Sequence, residues 1–237
     1  MIKNLLAKNL LVKALTRTVL TAALVLLSLT APAPAHAQDR SAAAAYTLPI
    51  TAAVPLLPLA AEVRDGYERT SFKHWNAGRN PSDGCNTRAE VLLAEAVDAP
   101  AILPGCKLSG GRWWSYYDSK WLTSASALDV DHMVPLAEAW DSGASQWTAQ
   151  RREAYANDLG TPTSLVAVSA ASNRSKADQD PAEWLPSVVE VTCRYTSEWI
   201  ATKLRWGLSV DATESEALTQ IAEACPATTV TYEPAPL

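Results

Sequence analysis

The chain has 237 residues, with 20 Lys and Arg against 25 Asp and Glu and a net charge of −5. That length allows one domain with a real core. The acidic balance excludes a broadly basic nucleic-acid binder, whose expected footprint is a positive face, so any contact with phosphate needs a local patch.

Residues 1–37 read as a signal peptide. Lys3, Lys8, Lys13 and Arg17 form a basic start, 19–29 is apolar, and Ala35-His36-Ala37 fits a small-x-small cleavage site, which places the cut after Ala37. The apolar run is shorter than the roughly 20 residues of a spanning helix. The mature protein is expected to be secreted or periplasmic and free of the membrane. Removing the segment takes four basic residues and no acidic ones, which leaves 16 against 25, a net of −9. The first candidates for a nucleic-acid patch are Arg151, Arg152, Arg174 and Lys176; a solvated helix face is the alternative reading.

Residues 38–55 are Ala-rich with Pro49 and Pro55 and predict a flexible lead-in, with the folded domain at 56–226. Residues 66–75 are expected to pack on the domain, with His74 at the surface, and 76–86 is a polar loop. A helix is predicted over 87–97 with Thr87 as its cap. Strands follow at 101–108 and 112–122 around a Gly110-Gly111 turn. Helices are predicted from Pro135 to an interruption at Gly143, and over 148–157. A long amphipathic helix covers 187–208, and Thr213-x-x-Glu216 is a capping box for a last helix reaching Cys225. The tail 227–237 is expected to fray.

Four cysteines in an exported chain imply two disulfides. Of the 3 possible pairings, Cys85 with Cys106 and Cys193 with Cys225 is favoured, because each pair brackets one local unit. No Cys-x-x-Cys spacing supports zinc. Nine Trp beside one Phe is a skewed usage, and their scattered positions read as core packing rather than a glycan platform.

The chemistry concentrates in two stretches. Leu128-Asp129-Val130-Asp131-His132-Met133-Val134-Pro135 reads as a short strand stopped by proline. Residues 165–168 read as a second strand, followed by a helix capped by Ser169 or Ser172 that carries Asn173-Arg174-Ser175-Lys176. Strand, strand and helix make a small platform bearing a carboxylate, an imidazole and an amide. Asp131 and the amide oxygen of Asn173 suit a hard divalent cation, Mg2+ first and Mn2+ as an alternative. His132 beside them can take a proton from attacking water.

With this joint pattern the chain resembles the HNH (ββα-metal) endonucleases, and within them a secreted bacterial family related to the nuclease domain of GmrSD-type restriction enzymes. The resemblance runs over about 56–225 and takes in Gly66-Tyr67, Asp83-Gly84-Cys85-Asn86-Thr87-Arg88 and Ala182-Glu183-Trp184-Leu185-Pro186. It implies an α+β fold: a ββα-metal core surrounded by further helices and stabilised by disulfides. It implies His132 as general base, Asp131 and Asn173 as metal ligands, and products with 5′-phosphate and 3′-hydroxyl ends. One position departs from the family. Where a middle Asn usually precedes the second strand, this chain has Ser164. Ser164 is taken as the residue that orients the base. Asn157, whose plainer reading is a helix cap, and the loop 159–163 are the alternatives.

The leading expectation is an exported, metal-dependent, monomeric endonuclease of low sequence specificity, acting on DNA first and RNA as the alternative. A secreted Trp-rich binding module and a retired nuclease fold are the competing readings. Neither needs a base beside two oxygen ligands.

Overall fold

The computed structural model describes residues 44–236; the expected signal peptide lies outside the described residues. In chain order the elements are β1 (Tyr46–Pro49), the one-turn helix α1 (Ile50–Ala53), α2 (Thr87–Ala94), β2 (Ala101–Leu103), β3 (Lys107–Ser109), β4 (Trp113–Ser115), β5 (Lys120–Leu122), β6 (Leu128–His132), α3 (Leu136–Asp141), α4 (Ala149–Ala156), β7 (Leu165–Ser169), α5 (Ala170–Lys176), α6 (Thr192–Trp206), α7 (Ala212–Ala224) and β8 (Thr229–Tyr232). The fold is α+β: helices around two-stranded antiparallel sheets that pair β1 with β8, β2 with β3, β4 with β5 and β6 with β7.

The β6–β7 hairpin lies between two apolar layers. Leu128 faces Ser169 and His132 faces Leu165 in its register. On one side Leu128, Val130, Leu165 and Ala167 pack with Val91 and Leu92 of α2 and with Trp113. On the other, Val166 and Val168 join the larger core with Tyr117, Tyr195 and Trp199. Burial on both faces is why β7 reads as an unbroken apolar run rather than an alternating one. The hairpin passes directly into α5, whose first turn is capped by Ser169: its hydroxyl accepts from the Ser172 N–H. Of the two serines considered as cap, Ser169 takes the role.

Both disulfides pair as expected, Cys85 with Cys106 and Cys193 with Cys225. The first fastens the start of α2 to the β2–β3 turn; the second fastens α6 to the end of α7. Trp113, Trp140, Trp199 and Trp206 are buried, while Trp114 and Trp121 are exposed and pair with each other at 5.0 Å.

Several local expectations need correction. Residues 101–108 are two short strands, because Gly105 at φ 72° turns the chain between them. The 112–122 stretch is likewise a hairpin, β4 with β5. Asn86, not Thr87, caps α2 by accepting from the Ala89 N–H. Asp211 caps α7 by accepting from Thr213 and Glu214, so the capping box does not form. A turn of 3-10 helix at Val189–Val191 delays α6 to Thr192.

The larger correction concerns the ends. The expected lead-in and tail pair with each other. Tyr46 lies opposite Tyr232 and Pro49 opposite Thr229. Ile50 and Val230 are fully buried, and the Ala235 N–H donates to Arg205 O. Neither half of this ladder has a partner nearby in sequence, so neither looks ordered alone. Truncation after Ala227 should therefore lower stability by at least about 2 kcal/mol, the worth of one buried aliphatic side chain. Denaturant unfolding followed by circular dichroism measures this; an unchanged midpoint would show the ladder carries no weight.

Candidate active site

Asp129 and Asp131 alternate with Val130 along β6 and so project from one face of the hairpin, beside Val168 and Val166. Asp131 is 5% exposed. Its Oδ2 accepts from Lys176 Nζ at 2.5 Å and from the Tyr117 hydroxyl at 2.7 Å. Lys176 is fully buried and also donates to the carbonyls of His132 at 3.0 Å and Met133 at 2.9 Å. Its three protons thus meet three acceptors, and the rings of Tyr117, Tyr195 and Trp199 surround the ammonium. Burial raises the Asp131 carboxyl and lowers the Lys176 ammonium, each opposed by the other's charge. Asp131 Oδ1 accepts no hydrogen bond from the described residues.

His132 ends β6 at 6% exposure. Its Nε2 lies 3.0 Å from Ala156 O at the end of α4. A carbonyl has no proton to give, so Nε2 carries one, and in the neutral ring Nδ1 is the acceptor. Trp75 stacks on the ring at 5.5 Å and Tyr155 at 6.3 Å, with the edge of His74 at 6.4 Å. Burial pushes the imidazole down to about 3, so the folded protein holds it neutral.

Asn173 sits one turn into α5. Its Nδ2 donates to Asp129 Oδ2 at 3.3 Å, and its amide oxygen takes no partner among the described residues. Arg174 approaches the same Asp129 oxygen at 3.6 Å with a side chain 76% exposed. Asp131, His132, Asn173 and Arg174 line one cleft of ≈ 480 Å³ together with Tyr67 and Arg69. The candidate ligand atoms of its lining residues are oxygens, Asp131 Oδ1 and the Asn173 amide oxygen, with the carboxylate of Asp129 next to them, bonded to the Asn173 amide. This donor set fits a hard divalent cation, with water or phosphate completing the shell.

The remaining site expectations do not converge on the cleft. Lys176 is inside the core and cannot reach nucleic acid. Arg151 donates to Trp206 O and lies over the Trp147 ring. Arg152 donates to the carbonyls of Ser71, Ala144 and Trp147. Both guanidiniums are committed to closing backbone, so of the four basic candidates only Arg174 faces the cleft. Ser164 makes no hydrogen bond to the His132 ring. Its hydroxyl donates to Asp158 Oδ2 at 2.7 Å, within an ion pair to Arg205, and its carbonyl accepts from the Met133 N–H. The Asn157 side chain makes no hydrogen bond to the ring either. Its Oδ1 accepts from the Asn76 N–H and Thr87 hydroxyl, and its Nδ2 donates to Lys73 O and Glu153 O. The group that reaches the imidazole is the backbone carbonyl of Ala156.

Sequence reasoning missed Arg69, Tyr117, Trp75 and Asp129, and set His74 at the surface. Only Asp129 carried a signal, as the second carboxylate at period 2 on a strand that ends in His132. The others reach the site from segments distant in sequence.

Lys176→Met should cost about 3–5 kcal/mol, because it leaves Asp131 buried without its counter-charge. Arg174→Ala should cost under about 0.5 kcal/mol, since that pair is exposed and long. Urea melts compare the two; equal losses would contradict the assignment. For His132 the folded pKa is lowered from 6.5 to about 3, so between those limits the unfolded chain holds the extra proton. Its contribution to stability is present above about pH 6.5 and is lost as pH falls toward about 3, at ~1.4 kcal/mol per pH unit. Ring-nitrogen NMR should find His132 neutral at about pH 5; a titration midpoint near the ordinary histidine value would refute it.

A family model described as the C-terminal domain of GmrSD restriction endonucleases matches residues 106–221. A relative from Arthroderma benhamiae, described as an uncharacterized secreted protein, is 40% identical over 162 residues, 68% of this chain and 77% of the relative. Where a bacterial family was expected, this relative is fungal. No solved structure matches. The localisation is that of an exported protein: the relative is described as secreted, and the two disulfides suit an oxidising compartment. Among the described residues no helix is long and apolar enough to cross a membrane. The chain belongs to the family of the GmrSD restriction endonuclease C-terminal domain.

Proposed function

We propose that the protein is an exported endonuclease of the HNH (ββα-metal) type that hydrolyses phosphodiester bonds, of DNA first, with little sequence specificity. The observation that carries this reading is the state of His132. Its Nε2–H is spent on Ala156 O, its ring is neutral, and it shares a cleft with Asp131 and Asn173. That leaves Nδ1 as a proton acceptor beside two oxygen ligands.

In this mechanism water attacks phosphorus, His132 Nδ1 takes the water's proton, and the 3′ oxygen leaves with a proton from solvent. A phosphate anion beside the ring favours its charged form and raises its basicity within the complex. The hydrogen bond from Nε2–H to the Ala156 carbonyl strengthens when the ring becomes charged, because the donor is then ionised. Arg174 and Arg69 draw the flanking phosphates to the cleft. A divalent cation held by Asp131 Oδ1 and the Asn173 amide oxygen, Mg2+ or Mn2+, would supply positive charge to the phosphate and the leaving oxygen.

The test is incubation of the mature protein with plasmid and with RNA, with and without chelator. Cleavage should require the cation. His132→Ala should lose about 10²–10⁴ in rate with the fold intact. Asn173→Ala should need more Mg2+ for the same rate. Undiminished cleavage by folded His132→Ala would sink the mechanism. The exposed Trp114–Trp121 pair supports a second reading, a carbohydrate-binding module, which predicts no cleavage under any cation.

A further inference from the structure

A second concentration of carboxylates lies beyond the cleft, past the ion pairs of Arg64 with Asp141 and Asp178. Ligand oxygens of Glu62, Glu138 and Asp141 lie within 4.8 Å of one another, and so do those of Glu62, Asp180 and Asp211. Glu62 belongs to both groups and is exposed, while Glu138 and Asp141 are buried at 2% and 4%. Glu62, Glu138, Asp180 and Asp211 line an open cavity of ≈ 510 Å³, and Asp141 lies behind Glu138 and Glu62.

Two side-chain cations enter this region, Lys203 and Arg64. Lys203 Nζ meets Glu138 Oε1, Glu214 Oε2, Ser142 Oγ and Ser209 O, four acceptors for three protons. Arg64 gives Nε and one terminal nitrogen to Asp141 Oδ2 and the other terminal nitrogen to Asp178. Asp141 Oδ1 is buried and receives no hydrogen bond from the described residues. A buried carboxylate oxygen without a donor is costly, and neither nearby side-chain cation donates to it: Lys203 has more acceptors than protons, and Arg64 directs its bonds to Asp141 Oδ2 and Asp178.

A hard cation would answer both the orphaned oxygen and the surplus of negative charge. The donors are all carboxylate oxygens, without His or Cys, which disfavours zinc. They come from separate segments: the 58–64 strand-like stretch, α3, the 178–182 loop and the cap of α7. Such an assembly suits the adaptable, oxygen-rich shell of Ca2+ better than the strict octahedron of Mg2+. We infer that Glu62, Glu138 and Asp141, with Asp180 and Asp211 alongside, form a Ca2+ site that fastens the segment before α2 to α3 and α7. The same segment already bonds to the chain ahead of α7, Ala60 N to Val210 O and Val210 N to Pro58 O, so the ion closes a junction that backbone bonds begin. The site stands apart from the nuclease reading and does not depend on it.

Chelator-stripped mature protein, titrated with calcium chloride, gives the test by calorimetry and thermal melting. The wild type should bind one ion here and gain about 5–10 °C in Tm at roughly a hundredfold excess over Kd. Glu62→Gln changes an exposed side chain in both groups; it should keep the calcium-free Tm and lose the calcium response. Asn173→Ala should keep the response, which separates this site from the cleft. No rise in the wild type overturns the site. So does a response that survives Glu62→Gln and vanishes in Asn173→Ala.

Discussion

The buried ammonium of Lys176 is the contact on which the cleft depends. It reaches from the last turn of α5 to Asp131 Oδ2 and to the carbonyls of His132 and Met133, so one charge fixes the end of β6 to the helix that follows β7. Asn173 lies three residues earlier on α5, on the same side of the helix. Anchoring Lys176 therefore sets where the amide of Asn173 sits over β6. Desolvating an ammonium is expensive; here three acceptors and three aromatic rings offset it. Half of Asp131 is thereby structural. Oδ2 holds the scaffold, and Oδ1 is the oxygen left to the cleft.

That division bears on the electrostatics. The mature chain is acidic, and two of its expected DNA contacts, Arg151 and Arg152, are spent on backbone carbonyls. Around the cleft Arg69 and Arg174 stand against Asp129, Asp131 and Asp178. A phosphate arriving there meets no surplus of positive charge from the protein alone. This supports the reading in which a divalent cation supplies the missing charge, and with it a substrate affinity governed by both salt and cation concentration.

The strand, strand and helix run was legible because each boundary has a local cause: Pro135 after β6, an apolar run with no polar interruption for β7, and Ser169 as cap. The disulfide pairs were legible because each closes a neighbouring unit. The β1–β8 ladder was not, since its partners are as far apart as Thr47 and Thr231, 184 residues, and each strand alone looks like a Pro-containing tail. Lys176 misled for a different reason. A basic residue near a helix end usually faces water or complements the helix dipole, and nothing in four residues of sequence announces that the facing strand carries a buried Asp131. Cap positions slipped by one or two residues where two polar side chains competed, as at Asn86 and Thr87 or Asp211 and Thr213.

The position where the HNH resemblance expects a middle Asn shows why one part of a site can be invisible to residue patterns. A side-chain amide has a one-letter signature; a backbone carbonyl does not. Here Ala156 O does the holding, and any residue in that place would present the same group. What the sequence must encode instead is where α4 ends. Asn157 does that, and its side chain also grips Lys73 O and the Asn76 N–H. Between these two bonds lies Trp75, in the left-handed region at φ 61°, a conformation that costs energy for a bulky residue unless its surroundings impose it. The imposed turn lays the Trp75 ring against His132. Residues 136–164, which read as an insertion between the two motif segments, thus build the wall around the imidazole: Tyr155 on one face, the carbonyl at Nε2, and through Asn157 the Trp75 ring on the other. The same wall takes Nε2 and both faces of the ring out of water, and that desolvation pushes the imidazole toward its neutral form while Nδ1 is left without a partner.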